Sequence, residues 1–313
     1  MEEQGAPPVA REYHEQGCDE MSNKICQIVD SSGGLPRSFL DRHGISEVPF
    51  YFKFSAPDSY RENVDYQPAE FYKHMEESPN DVPKTSAPNV NDWLSVFEAR
   101  HAEGAGKYIV TTISSQLSCS FQNALLAKDL FLEKNTGVEM EVIDSHTCAC
   151  GQAALEIAIA GMIEAGRDLQ DVVKAVHRMV ANVNTLFVVN SLKYMEAGGR
   201  IGGATAFVGK LIQVKPVCEF VNGVVRPIKA AIGRKNSLKA MVDIAVSRIA
   251  DINKLIITVQ NAEFQEDIDY AIQYLRKVTN FAGHIYQSDL GIIVGAHSGP
   301  GAAGIGFVLD PLA

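Results

Sequence analysis

The sequence predicts an α/β protein of two three-layer domains, the first on a parallel sheet and the second on a mixed sheet. Two observations carry this. In the first half, β-rich apolar runs alternate with stretches of helical spacing, the pattern of strands joined by crossover helices into a parallel sheet covered on both faces. In the second half, Asn222-Gly223 separates two β-rich runs, a strong signal for an antiparallel hairpin, so strands of both directions occur there. A length of 313 residues with 46% hydrophobic and 21% charged content is enough for two such domains, each with its own core.

Taken in order, Ile25–Val29, Tyr108–Ile113 and Val138–Ile143 read as strands. Val90–Glu103, Cys119–Lys134 and Gly151–Ala165 read as the helices between and after them. Each of these strands ends in a short polar segment at its carboxyl end, where parallel sheets hold ligands. Gly166-Arg167-Asp168 marks a break with Asp168 as a helix N-cap, and the domain boundary is drawn there, giving domains over 25–168 and 169–313. The second half continues with a helix over Leu169–Asn182, a strand over Thr185–Val189, a glycine-rich passage, and a strand over Leu211–Val221. After the hairpin strand Val224–Arg226 follow a helix over Ser237–Ala250, a strand over Lys254–Val259, a helix over Ala262–Thr279 and terminal strands that can pack back toward the first domain. One of these terminal strands is the apolar run Leu290–Ala296, which leads into His297.

Composition excludes several classes. A net charge of −10 argues against a phosphate-tracking surface and hence against nucleic-acid binding. No apolar run reaches the roughly 18 residues that span a bilayer, and the polar start lacks the apolar core of a signal peptide, so a cytoplasmic protein without stable membrane insertion is expected. Residues 1–24 are rich in Glu, Gln, Gly and Pro, read as a disordered extension, and leave Met21 as an alternative start. Six cysteines in such a chain read as small buried apolar residues without structural disulfides.

Four segments carry the chemistry: Lys84–Asn89, Ser114–Gln122, Asp144–Gly151 and Gly198–Gly203. The first three are crowded with hydroxyls, and Pro88 and Ser118 stand where helices begin. Such residues cap helices for structural reasons alone; the same free N–H groups and hydroxyls also seat a carboxylate or phosphate. Arg200, between pairs of glycines, is either a surface arginine on a turn or a guanidinium held for an anion. His297, followed by Ser298-Gly299-Pro300-Gly301, is either a satisfied core histidine or part of a site.

Other chemistries are open on residue type. Ser118, His297 and Asp144 are the types of a serine hydrolase acting on an acyl ester, although no Gly-x-Ser-x-Gly elbow is present. His146, Cys148 and Cys150 alternate, so on an extended chain they share one face, but no fourth metal ligand stands near them. The stretch from Gly203 to Leu211 has one residue too many between its glycines for a phosphate loop, and Leu211 where that loop needs Ser or Thr.

Thr85-Ser86-x-Pro88, Ser114-Ser115-Gln116-Leu117-Ser118 with Phe121-Gln122, the strand end Val142-Ile143-Asp144-Ser145, Leu192-x-Tyr194 with Gly198-Gly199-Arg200-Ile201-Gly202, Val214-Lys215-Pro216-Val217, and Gly295-x-His297-Ser298-Gly299-Pro300-Gly301 together resemble the DegV family. The resemblance runs in order from about Ile25 to the end. It implies a fatty acid held in a tunnel at the domain interface. It also implies a non-catalytic carrier, without cofactor or metal, that presents the acyl carboxylate to a separate ATP-dependent fatty acid kinase for acyl-phosphate formation. By the same resemblance Thr85, Ser86, Ser118 and His297 bind the carboxylate of a long-chain fatty acid, and Arg200, Lys229 and Arg234 lie nearby or face the kinase. The chain departs from the family pattern at Gly34, where a second Asp is usual, and at Ala87, Cys119 and Ala149, where Gln, Gly and Ser are usual. It departs also in the loop Lys229–Arg234, where Ile232 lies in place of a Lys-x-Arg spacing.

Overall fold

The computed structural model describes residues 24–207 and 214–313. The predicted extension lies outside them except for its last residue, as do Met21 and the first residues of the strand expected from Leu211. In chain order the first half runs β1 (Ile25–Asp30), α1 (Arg37–His43), β2 (Ser46–Val48), β3 (Tyr51–Lys53), β4 (Tyr60–Arg61), α2 (Pro68–Glu77), β5 (Lys84–Ser86), α3 (Val90–Ala102), β6 (Lys107–Thr112), α4 (Ser120–Lys134), β7 (Glu139–Asp144), α5 (Ala149–Glu164) and α6 (Leu169–Val180). The second half continues β8 (Asn184–Val188), α7 (Lys193–Ala197), β9 (Val214–Val221), β10 (Val224–Ile232), α8 (Arg234–Ser247), β11 (Leu255–Asn261), α9 (Gln265–Thr279), β12 (Tyr286–Asp289), α10 (Ile292–Ser298) and β13 (Ala303–Leu309).

The first sheet is parallel throughout, in the order β2-β1-β6-β7. Its strands are apolar on both faces because helices cover both. On one face α3 and α4 bring Trp93, Phe97 and Phe131 against Tyr108, Val110 and Val142. On the other lie α1, α5 and α6. The second sheet is mixed, in the order β10-β9-β8-β13-β11-β12: β12 runs parallel to β11, and the other pairings are antiparallel. Its hairpin turns at Asn222 (φ 50°) and Gly223 (φ 79°), the left-handed pair that matches strand twist.

Helix α5 belongs to both sheets. Ala149–Ala160 and Met162 are buried all round, so no polar face exists to turn to water. Its small residues let it lie between β1 on one side and β11 and β13 on the other, where Ile256 and Val308 join its core. Gly306 of β13 is required there, since a Cβ would fall 2.3 Å from the Cys150 carbonyl carbon. The outer face of the second sheet is closed by α8 and α9.

Two departures from the sequence reading are physical. Leu290–Ala296 is not a strand: Ile292–Ser298 is helical, with His297 in the last turn. A short, wholly apolar run has no period by which to separate a strand from a buried helix. What fixes the helix is remote in sequence, the buried Glu62 carboxylate accepting from Ile293 N at 3.1 Å. The second departure is the unpredicted antiparallel sheet β4-β3-β5, whose strands are three residues or fewer and show too little alternation to read.

Asp30, at the carboxyl end of β1, is fully buried. Its Oδ1 accepts from Ser32 N at 3.3 Å, Ser32 Oγ at 2.5 Å and Gln152 Nε2 at 3.0 Å. Its Oδ2 accepts from Ile113 N at 2.9 Å and Ser120 Oγ at 2.7 Å. Burial pushes the carboxyl above the usual range against the pull of these donors. Removing it strands donors from four segments, so Asp30→Ala is expected to lower the unfolding free energy by roughly 3–5 kcal/mol. The check is urea denaturation: the midpoint drops while the slope is unchanged.

Candidate functional site

A cavity of about 400 Å³ lies where the loops after β6 and β7 meet β8, β11, β13 and α10. Its walls are mainly apolar, including Phe50, Ile113, Leu117, Phe187, Met195, Phe220, Leu290 and Ile293, a lining suited to a hydrophobic ligand. Two of its walls are loops at the carboxyl ends of parallel strands, as the sheet topology requires.

Several of its polar side chains gather at one region. Thr85, Ser86, Ser118, Arg200 and His297, predicted together, all line this cavity. Thr85 reaches it from β5, the edge strand that pairs Phe52 with Thr85. Ser118 closes the loop after β6; its Oγ accepts from Ser120 N at 3.2 Å, leaving the hydroxyl proton free to be donated. Arg200 is fixed by donating from Nε to Leu117 O at 3.1 Å and from Nη1 to Gly198 O at 2.6 Å, with the guanidinium exposed.

His297 Nε2 lies 2.8 Å from Thr85 Oγ1. Its Nδ1 is buried against Gly198 without a partner among the described residues. An orphan acceptor costs less than an orphan donor, so the proton belongs on Nε2, which donates to Thr85 Oγ1. The Thr85 hydroxyl proton is then directed elsewhere, toward the cavity. Burial, and after it the Arg200 guanidinium, push the imidazole down to about 4, so it is neutral at pH 7 and Arg200 is the cation of the site.

The glycines around Arg200 have distinct reasons. Gly199 takes a left-handed φ of 70°, while Gly198 is where the imidazole presses: a Cβ there would fall 2.0 Å from His297 Nδ1.

The structure does not bring every predicted residue here. Lys229 is exposed on β10, and Arg234, at the start of α8, donates to Asp267 at 2.8 Å; neither lines the cavity. The residues of the hydrolase reading are not joined. His297 bonds Thr85 rather than Ser118, and Asp144 accepts from Ser115 N and His146 N. His146 is exposed, whereas Cys148 and Cys150 are buried, with burial pushing the Cys150 thiol up to about 12. Among the described residues no three such side chains could hold a metal ion.

Sequence reasoning missed Thr185, Gln260 and Ser298, buried polar residues that also line the cavity. Ser298 Oγ has no partner among the described residues. The signal for Thr185 and Gln260 was a polar residue buried within a largely apolar strand; Ser298, at the end of a helix, had none.

Comparison with known proteins follows this geometry. The model of a family described as uncharacterised proteins of the DegV family matches residues 24–310. A DegV domain-containing protein of Staphylococcus aureus is 27% identical over 285 residues, covering 91% of this chain and 97% of its own. Among solved structures, a stearic-acid-binding protein from Eubacterium ventriosum is 27% identical with a TM-score of 0.86, covering 91% of this chain and 98% of that one. A DegV family protein from Thermus thermophilus, described by its fatty acid binding, is 25% identical with a TM-score of 0.83, covering 91% and 99%.

Two expectations follow from His297. Its unfolded pKa of 6.5 exceeds its folded value of about 4, so between these pH values the unfolded chain binds more protons. The stability it contributes is complete above pH 6.5 and is lost as pH falls, by roughly 3 kcal/mol. Denaturation of the wild type and of His297→Gln across this range checks it: the difference between the two curves carries that slope. Gly198→Ala should push the imidazole off Thr85, which the chemical shifts of the His297 ring would report.

Proposed function

The chain belongs to the DegV family, and we propose that it binds a long-chain fatty acid in a tunnel formed by this cavity between the two halves. The observation that carries the reading is an apolar cavity with the hydroxyls of Thr85 and Ser118 and the exposed guanidinium of Arg200 on its wall. An alkyl chain gains about 0.8 kcal/mol per methylene buried, and a carboxylate needs donors where that chain ends. Thr85 and Ser118 donate to the carboxylate, Ser86 borders it, and neutral His297 orients Thr85. Arg200 adds attraction for the anion: two of its five N–H donors are committed to backbone carbonyls and three are left.

The second part of the proposal is that the carboxylate is presented to a separate ATP-dependent fatty acid kinase. Hydroxyl donors hold an anion without neutralising it, so one oxygen remains a nucleophile for a phosphoryl group. Arg200 is exposed where such a partner would approach, with Lys229 and Arg234 as further docking cations. The chain is then a carrier without catalysis of its own. Its need for ATP at the handover keeps it in the cytoplasm. Three of the positions that depart from the family pattern, Ala87, Cys119 and Ala149, line the cavity, so they bear on ligand choice more than on the fold.

Native mass spectrometry of the protein from a bacterial host, with solvent extraction, tests the first part. The expected result is a co-purifying acyl chain, and an empty protein that takes up no added fatty acid overturns it. Thr85→Val and Ser118→Ala should each weaken binding by roughly tenfold or more, as expected for hydrogen bonds to a charged group. For the second part, acyl phosphate should form only when fatty acid kinase and ATP are added, and His297→Ala should slow that step more than it weakens binding.

A further inference from the structure

We propose that the chain has a second ligand site, a polar cavity where β2 and α1 meet the ends of β11 and β12 and the start of α9, and that it takes a small organic cation bearing an ammonium group. The cavity measures about 550 Å³ and shares no lining residue with the apolar one. The inference goes beyond the fatty-acid reading and does not rest on it.

The observation that points to a ligand is Asn261. It ends β11, is 4% exposed and lines this cavity. Side chains alternate along a strand, so with Gln260 turned to α5, Asn261 is turned the other way, to the side where Ile257 and Val259 share a core with Ile268 of α9. Its backbone carbonyl is taken by Leu290 N at 2.7 Å, which leaves the carboxamide as what it offers the cavity. Neither Oδ1 nor Nδ2 has a hydrogen-bond partner among the described residues. Neither is sealed in: both keep contact with open space, and this cavity is the open space that the residue lines.

The charge comes from its neighbour in register. Asn261 pairs with Asp289 of β12, so the two side chains stand on the same face, one strand spacing of about 4.8 Å apart. The Asp289 carboxylate has no hydrogen bond or ion pair among the described residues, and it lines the cavity. From the first half, Glu47 on β2 accepts from Asn63 Nδ2 at 3.1 Å with Oε1 and keeps its other oxygen free. Gln265 gives Nε2 to Asp269 at 2.9 Å and keeps Oε1 as an acceptor. Among the described residues Arg37 is the one cation that lines the cavity, and its Nε is drawn to Asp41 at 2.8 Å. The free groups are therefore mostly acceptors, with negative charge among them. An ammonium group brings three donors and one positive charge, which matches that set, whereas an anion does not. A metal ion is a poorer match, because among the described residues no three His, Cys, Asp or Glu side chains could hold one. Burial pushes the Glu47 carboxyl up to about 7, and a cation beside it favours the charged form.

The test is calorimetric titration of the full chain with diaminobutane and, as a neutral match in size, with butanediol. The diamine should bind, and the diol should bind roughly tenfold more weakly or less. Asn261→Leu, which keeps the bulk of the side chain and removes its polar atoms, should weaken the diamine by about tenfold. Asp289→Asn, which removes the charge alone, should weaken it by roughly fivefold. Asp289 is exposed, so this variant keeps the fold and decides the matter even where Asn261→Leu does not fold. Glu133→Gln, at an exposed acid on α4 outside the cavity, should change nothing. The proposal is overturned by a diamine that does not bind, by a diol that binds as well, or by equal losses in Glu133→Gln and Asp289→Asn, which would trace the binding to the net charge of −10. The fatty-acid reading stands or falls separately, since the two cavities share no lining residue.

Discussion

The rest of the structure depends on one buried carboxylate. Asp30 ends β1, and its five accepted hydrogen bonds tie that strand end to Ser32, to the end of β6 at Ile113, to the start of α4 at Ser120 and to α5 at Gln152. The loops that carry Ser118 and Cys148 leave the sheet beside these anchors. In a low-dielectric interior a carboxyl group so surrounded is tolerated only while its hydrogen-bond partners stay in reach, so the site loops inherit its geometry. The same logic recurs one layer away. Glu62 accepts from Ser31 Oγ at 2.5 Å and from Ile293 N at 3.1 Å, and burial pushes its carboxyl up to about 8. Ser31 and Ser32 are adjacent in sequence, so the segment after β1 positions both the loop wall of the cavity and the helix that brings His297 to it.

This arrangement decides what kind of anion site results. A histidine kept neutral by burial and by a nearby guanidinium cannot form an ion pair, and Arg200, with two of its five N–H donors given to Leu117 O and Gly198 O, keeps three for an anion. On the fatty-acid proposal, negative charge is held by hydroxyl donors with the remaining N–H groups of Arg200 beside them. A catalytic serine would need the opposite arrangement, a base bonded to the nucleophile and an acid bonded to the base, whereas His297 leans on Thr85 and Asp144 is occupied by backbone N–H groups.

What was legible in the sequence was what is local. The Asn222-Gly223 hairpin, the strand-helix alternation of the first half and the Asp168 cap, which accepts from Asp171 N at 2.9 Å, are set by neighbouring residues and could be read from them. The helix at Ile292 could not, because Glu62 decides it from 231 residues away. The five polar residues of the site were legible together only through their resemblance to a family pattern; no periodicity links Thr85 to His297, 212 residues apart. Nor could spacing show that one helix, α5, would serve two sheets. A sequence of alanines, glycines and isoleucines reports burial on every side but not by what.

On the fatty-acid proposal, two energies of different kind govern the ligand. Each buried methylene contributes about 0.8 kcal/mol regardless of its neighbours, so a long chain accumulates affinity from length alone. A buried acceptor left against methylenes costs about 1–3 kcal/mol, the worth of only a few methylenes, yet it is paid at one position rather than spread along the chain. On the fatty-acid proposal, length sets how tightly acyl chains bind as a class, and a polar atom in the wall counts only against the part of the chain it meets. Such an atom persists in an apolar wall only if its other bonds hold it there. Gln260 meets that condition: its Nε2 donates to Gly33 O, in the segment that follows Asp30, and to Ser288 Oγ on β12. A residue of the cavity wall and the end of β1 thus share one support, and a substitution that loosens that segment disturbs both together.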